Sequence, residues 1–448
     1  VVFHVGVGHE DCLSLNIWAP RGAQGLPVFV WIHGGNLLRG AGSEPLTDGA
    51  ALARRGMVVV TINYRLGVLG YLAHPELSAE SQCGISGNYG LLDQIEALRW
   101  IRRNIAAVGG DPQNVTVAGE SAGALSVYYL LAAPAAHGLF HKAIAQSGHL
   151  CSAQHLREDR HGMGTGEQSG EALLAALGAG SIAELRGRDA KRLAIDAVAA
   201  GFSAQAVIDG VVLTGQPVDV LREGRSPDVP LLTGWNAGEI LTLEFLAPPV
   251  PADAATYEAE IRARYGDLAA AALARYPSHD LVGSTLQAAN DAVFGWTALA
   301  GAKANAANGR PAFVYHFDHG YREADARGLH AFHACEIAYV FDTMDQAPPA
   351  WPRAPKTAAE AALTRVIGDL WAGFARDGAP SAPGAPDWPD HGADGAVLRI
   401  ADGVEVRRDL APGMYAFVED FFARARAAGD LPWNWHVSTL APTLPRAG

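Results

Sequence analysis

Short apolar runs alternate with helical periodicity through the first 150 residues, and that alternation leaves few folds open. Leu13 to Trp18, Pro27 to His33, Val58 to Tyr64 and Asn114 to Ala118 read as strands, rich in β-branched and aromatic residues. Between the last two, Leu91, Leu92, Ile95, Leu98 and Ile101 recur near a 3.6 period, which predicts an amphipathic helix over Tyr89–Asn104. Strands alternating with helices imply a largely parallel sheet with both faces covered. Further on, Leu173 to Leu177, Arg192 to Ala200, Thr256 to Ala274 and Leu363 to Arg376 read as helix, and Pro230 to Gly234 and Phe313 to Phe317 as strand. The Pro/Gly/Ala-rich tract from Ala347 to Pro389 carries several turn signals, so much of it is expected to be ordered loop. No internal repeat or long linker divides the chain. Residues 1–448 therefore read as one domain, with helical excursions at 150–225 and 240–310.

Composition narrows the class. The 448 residues carry 34 Lys and Arg against 47 Asp and Glu, a formal charge of −13, which argues against a phosphate-tracking surface and so against nucleic acid. The longest apolar runs, such as Leu26 to Ile32 and Met57 to Ile62, fall well short of the roughly 18 residues of a membrane-spanning helix. The four cysteines, Cys12, Cys83, Cys151 and Cys335, show no C-x-x-C spacing for zinc or a redox motif, and read as unpaired residues in or near the core. Such light cysteine usage leans slightly towards a cytoplasmic setting. Val1 is neither an initiator Met nor part of a basic signal region, so the true N-terminus, with any targeting signal, is expected upstream.

Chemistry concentrates at two glycine-rich turns. Gly119-Glu120-Ser121-Ala122-Gly123 fits G-x-S-x-G, follows a predicted strand and leads into the apolar stretch Ala124 to Leu131. Small flanking residues permit the sharp strand-to-helix turn that exposes a serine hydroxyl, and the helix N-terminus adds positive partial charge beside it. Upstream, His33-Gly34-Gly35-Asn36 closes another strand, where backbone N–H groups can turn towards a developing oxyanion. A hydroxyl nucleophile needs a base, and the base a carboxylate to hold its tautomer. The chain order Ser, acid, His found in α/β-hydrolases points to the C-terminal half, where His330 and His333 precede an apolar run. The residues alone leave both histidines open.

A series of motifs then resembles the type-B carboxylesterases, the family of bacterial para-nitrobenzyl esterases and cholinesterases. They are Glu10-Asp11-Cys12-Leu13-Ser14-Leu15-Asn16-Ile17-Trp18, Trp31-Ile32-His33-Gly34-Gly35, Asn63-Tyr64-Arg65-Leu66-Gly67, Gly87-Asn88-Tyr89-Gly90-Leu91-Leu92-Asp93-Gln94, Gly109-Gly110-Asp111-Pro112, Gly119 to Gly123 and Trp371-Ala372-Gly373-Phe374-Ala375. The resemblance implies an α/β-hydrolase fold with a mixed, mainly parallel sheet flanked by helices. It implies ester hydrolysis of small-molecule substrates through an acyl-enzyme, with no metal or cofactor and the two helical excursions roofing the site.

Residue by residue, Ser121 matches the nucleophile. Glu239 matches the acid within Gly234-Trp235-Asn236-Ala237-Gly238-Glu239-Ile240, where Gly238 and Ile240 replace the family's Asp and Gly. His333 matches the base, with Ala334 in place of Gly, which leaves His330 as a decoy. The oxyanion donors match the N–H groups of Gly35, Asn36 and Ala122, and Glu120 and Ser147 match supporting positions around the nucleophile. Trp235, Phe294 and Trp296 are candidates for the pocket wall or for plain core. The family also has a long segment before Glu10, including an N-terminal sheet and part of the gorge wall, where only nine residues stand here. It places a disulfide partner for Cys12 upstream, so Cys12 reads as free. The same machinery would serve a thioester, amide, carbamate or polyester. Members that lost the triad are binding proteins, whereas all three positions are filled here.

Asn36 stands where the family usually has Gly or Ala, and its side chain is expected to narrow the acyl side or to add a polar contact. Esters of tertiary alcohols are therefore expected to be poor substrates. Comparing hydrolysis of tert-butyl and n-butyl acetate checks this, and equal rates would contradict it.

Overall fold

In the computed structural model, which describes residues 8–408, 410–429 and 436–445, nine strands join in one sheet. They are β1 Leu15–Trp18, β2 Leu26–Ile32, β3 Val58–Ile62, β4 Gly110–Glu120, β5 Lys142–Gln146, β6 Leu231–Asn236, β7 Ala312–Phe317, β8 Ala396–Ile400 and β9 Val404–Arg408. The spatial order is β1-β3-β2-β4-β5-β6-β7-β8-β9. Every neighbouring pair from β3 to β8 is parallel, and β1 and β9 add antiparallel edges. The expected mixed, mainly parallel sheet is what forms.

Side-chain alternation decides which helices cover which face. Val28, Val30 and Ile32 of β2 share one core with Val58, Val60, Val115 and Val117. Onto that face pack the apolar stripe Leu91, Ile95, Leu98 and Ile101 of helix α1 (Tyr89–Asn104), helix α2 (Ala122–Ala132) and helix α3 (Trp296–Ala307). Phe29 and Trp31 point the other way, into a core with Ile144, Leu232 and Tyr315. That face is closed by Leu363, Ile367, Leu370, Trp371 and Phe374 of helix α4 (Ala358–Asp377). Residues 150–225 and 240–310 contribute further helices, among them Gly166–Ala176, Ala190–Ala199, Ala254–Tyr265 and Leu281–Asn290.

Several elements differ from the sequence expectation. The strand expected from Leu13 begins at Leu15, because Cys12 and Ser14 form local turns and Leu13 is exposed. The single helix expected over Thr256 to Ala274 is broken into Ala254–Tyr265 and Ala269–Arg275 by Gly266 at φ +56°. The helix expected over Leu363 to Arg376 forms and is longer, 20 residues as α4, started by the Thr357 hydroxyl accepting from Glu360 N–H and ended by Gly378 at φ +78°. None of the four cysteines is disulfide-bonded. Cys335 is buried, but Cys83 is exposed rather than in or near the core.

The register of β2 with β4 sets Ile32 opposite Gly119 and brings α2 against the end of β2. A Cβ on Gly123 would lie 2.0 Å from the Ile32 carbonyl oxygen, and one on Gly119 2.4 Å from the Gly123 carbonyl carbon. Both glycines are there for contact distance rather than for backbone freedom. Gly123→Ala is expected to lower unfolding stability by about 1–3 kcal/mol or more. Gly403→Ala, which meets nothing within 4 Å, should stay within about 0.5 kcal/mol of wild type. Denaturant titration of the two variants checks the difference.

Candidate active site

Ser121 sits on the turn between β4 and α2 at φ 55°, ψ −121°, a region costly for any residue with a Cβ. Its N–H donates to the Gln146 carbonyl at 3.0 Å, and its carbonyl accepts from Leu125 N–H at 2.9 Å. The turn is thus fixed from β5 and from within α2, and the side chain stands only partly buried at the helix N-terminus.

Glu239 follows β6, and His333 lies in the connection between β7 and β8. His333 Nδ1 is 2.5 Å from Glu239 Oε2. The other carboxylate oxygen, Oε1, accepts from Asn236 N–H at 2.8 Å, so Glu239 is clamped on both sides. A Gly238 N–H bond to the Ala331 carbonyl, 2.8 Å, ties the two loops together. The Asn236 amide donates to the Phe332 carbonyl at 3.0 Å and to Glu336 Oε2 at 2.7 Å. Gln146 donates to Glu336 Oε1 at 3.0 Å and accepts from the Trp371 indole at 2.9 Å. With Nδ1–H given to Glu239, Nε2 is the nitrogen left to accept a proton.

The structure therefore brings Ser121, Glu239 and His333 to the C-terminal edge of the parallel strands, together with the turn after β2. In that turn Gly35, Asn36 and Leu37 take φ 103°, 59° and 55°. Among the described residues, the Gly35, Asn36 and Ala122 N–H groups have no backbone acceptor. Asn36 is exposed, and asparagine tolerates the left-handed region better than most residues. Glu120 is buried, with Oε1 3.1 Å from His333 Nε2 but off the axis of a hydrogen bond. Ser147, at φ 49°, donates its N–H to the Gly234 carbonyl at 2.9 Å.

His330 goes elsewhere. Its ring spans Asp325, 2.8 Å, and Asp318, 3.1 Å, and Asp318 pairs in turn with Arg399. Phe294 lies in a π-helical turn, Asp291–Gly295, with its ring centre 5.5 Å from that of His333. Trp235 packs on His316 and Trp296 on Phe422, so both are core. Sequence reading missed His149, buried and edge-on to Phe294, and gave no role to Asn236, Gln146 or Glu336. Glu336 had a visible signal, a carboxylate beside the apolar run Ile337 to Phe341. A cavity of ≈ 660 Å³ elsewhere is lined by Val68, Leu72, Leu77, Ile182 and Leu185 and by none of the three residues Ser121, Glu239 and His333.

The carboxylesterase family matches residues 3–418. The chain belongs to the carboxylesterase family. The para-nitrobenzyl esterase of Bacillus subtilis (strain 168) is 36% identical over 386 residues, covering 83% of this chain and 75% of that protein. The fumonisin B1 esterase of Sphingopyxis macrogoltabida is 45% identical over 241 residues, 51% of this chain but 43% of that protein's length. A solved PNB esterase superposes with a TM-score of 0.78 at 33% identity, covering 92% of this chain and 84% of that one. The fold is that of an α/β-hydrolase, in a family of serine ester hydrolases. Among the described residues, no helix is long and apolar enough to cross a membrane.

Burial governs the site's proton affinities. It pushes the Glu120 carboxyl well up, opposed by His333 and reinforced by Glu336 and Glu239. It lifts Glu336 to about 7, with Glu239 adding to the rise, and lowers His149 to about 4, with His333 contributing. For His333, burial alone would lower the imidazole pKa, but the charges of Glu120 and Glu239 outweigh it and raise it above 6.5. A base must be neutral, so kcat/KM of this carboxylesterase-family chain should climb with pH along a limb above that value. Glu239→Gln removes a charge that favours the imidazolium. It should move the limb to lower pH while cutting kcat by roughly 10³–10⁴-fold. A pH–rate profile of both proteins checks the sign, and a limb moving to higher pH would contradict it.

Proposed function

We propose that this chain hydrolyses carboxylic esters of small molecules through an acyl-enzyme on Ser121. The observation that carries the reading is the His333–Glu239 pair at 2.5 Å, held on loops beside a serine in the strained turn that its two glycines allow. His333 takes the Ser121 proton as the hydroxyl attacks the carbonyl, and Glu239 orients the ring and stabilises its cation. The N–H groups of Gly35, Asn36 and Ala122 receive the oxyanion. His333 then protonates the departing alcohol, and water repeats the attack to release the acid. Phe294 and His149 border the reacting centre, and the helices of residues 150–225 and 240–310 roof it.

Initial rates on a para-nitrophenyl ester series from acetate to decanoate test the proposal. Wild type should turn over members of the series, and Ser121→Ala should lose roughly 10⁴–10⁶-fold in kcat. A folded Ser121→Ala protein as active as wild type would overturn it.

A further inference from the structure

The turn after β2 holds a charge that the ester chemistry does not use. The Gly35 carbonyl accepts from both Leu38 N–H and Arg39 N–H, each at 3.1 Å, so residues 35–39 close on themselves. This folds Arg39 back over Gly35. A Cβ on Gly35 would lie 2.1 Å from the Arg39 carbonyl oxygen and 3.1 Å from Arg39 Cγ. The arginine stem thus starts against the backbone whose N–H is proposed to receive the oxyanion.

Arg39 is exposed, and among the described residues it has no ion pair and no side-chain hydrogen bond. Arg21 and Arg54 are likewise without an ion pair among the described residues, whereas two other arginines of this region are held. Arg55 pairs with Asp369 at 2.9 Å and Arg65 with Asp93 at 2.8 Å. The carboxyl closest in sequence, Glu44, is buried and turned inward, with Oε1 accepting from Ala41 N–H at 3.2 Å. Burial lifts Glu44 to about 7, which favours its neutral form. Glu120, under Gly34, is buried and pushed towards the neutral form as well. An exposed guanidinium with no ion pair among the described residues is therefore carried on a stem that starts against Gly35.

A planar guanidinium matches a carboxylate through two parallel hydrogen bonds. We propose that Arg39 is a carboxylate-binding subsite and that the preferred esters carry a second, free carboxylate, as half-esters of dicarboxylic acids do. The proposal rests on the ester-hydrolase reading above and names its substrate class. Arg39 acts on selection rather than on bond breaking, so its effect lies in the preference between substrates.

The test compares para-nitrophenyl hexanoate with the mono-para-nitrophenyl ester of adipic acid, both corrected for spontaneous hydrolysis. These acyl chains have the same length and differ by a terminal carboxylate. The readout is the ratio of kcat/KM, anionic over neutral. Arg39→Ala and Arg39→Gln should lower that ratio roughly tenfold or more, as expected for loss of a charged hydrogen bond. Arg39→Lys should retain part of it, and added salt should lower the ratio in wild type, a measurement that needs no variant. A ratio unchanged in Arg39→Ala and insensitive to salt would overturn the subsite while leaving the esterase reading intact. If neither ester is cleaved by a folded wild-type chain, the esterase reading itself falls.

Discussion

The approach of α2 to the end of β2 is the constraint on which the rest of the site depends. Gly123 lies so close to the Ile32 carbonyl that no side chain fits between them, and Gly119 is pinned the same way from the other side of the elbow. That contact forces Ser121 out of ordinary backbone geometry, at a strain on the order of 1–3 kcal/mol. The strain persists because α2 cannot retreat: Ala122, Ala124, Val127 and Tyr128 are wholly buried against the sheet. It also sets the distance between the two donor groups, since the Ala122 N–H opens α2 and the Gly35 and Asn36 N–H groups follow directly from β2. One packing contact therefore positions both Ser121 and the turn after β2.

The departures from the family pattern become intelligible at this level. Ala334 replaces a Gly at φ +71°, where a Cβ costs about 1–2 kcal/mol, so the pattern's glycine reflects backbone geometry and the alanine accepts strain beside His333. Asn36 occupies φ +59°, which asparagine adopts more readily than most residues. Gly238, by contrast, has no positive φ. A Cβ there would meet the Leu329 carbonyl at 2.8 Å and the Ala331 carbonyl at 3.0 Å, so glycine lets the loop bearing Glu239 dock on the loop bearing His333.

The first third was legible because its elements are periodic and its glycine turns are local. Val28 to Ile32 and the stripe of α1 declare themselves through spacing, and the serine elbow through its neighbours. What escaped depends on partners far away in the chain. β5, Lys-Ala-Ile-Ala-Gln, is too short and alanine-rich to show a pattern, and it is a strand because β4 and β6 flank it. β8 and β9 form a hairpin whose hydrophobic face exists only against β7. The roles of Asn236 and Gln146 were invisible for the same reason, since their partner Glu336 lies 100 and 190 residues away.

Those two amides explain how several carboxyl groups coexist in one buried patch. An unpaired buried carboxylate is strongly disfavoured, and two close together are worse. Glu336 is met by an amide at each oxygen and is shifted towards its protonated form, as is Glu120. Glu239 receives a backbone N–H at one oxygen and the imidazole at the other. Burial raises the pKa of Glu120 and Glu336, while the two amide donors pull Glu336 back towards its ionised form.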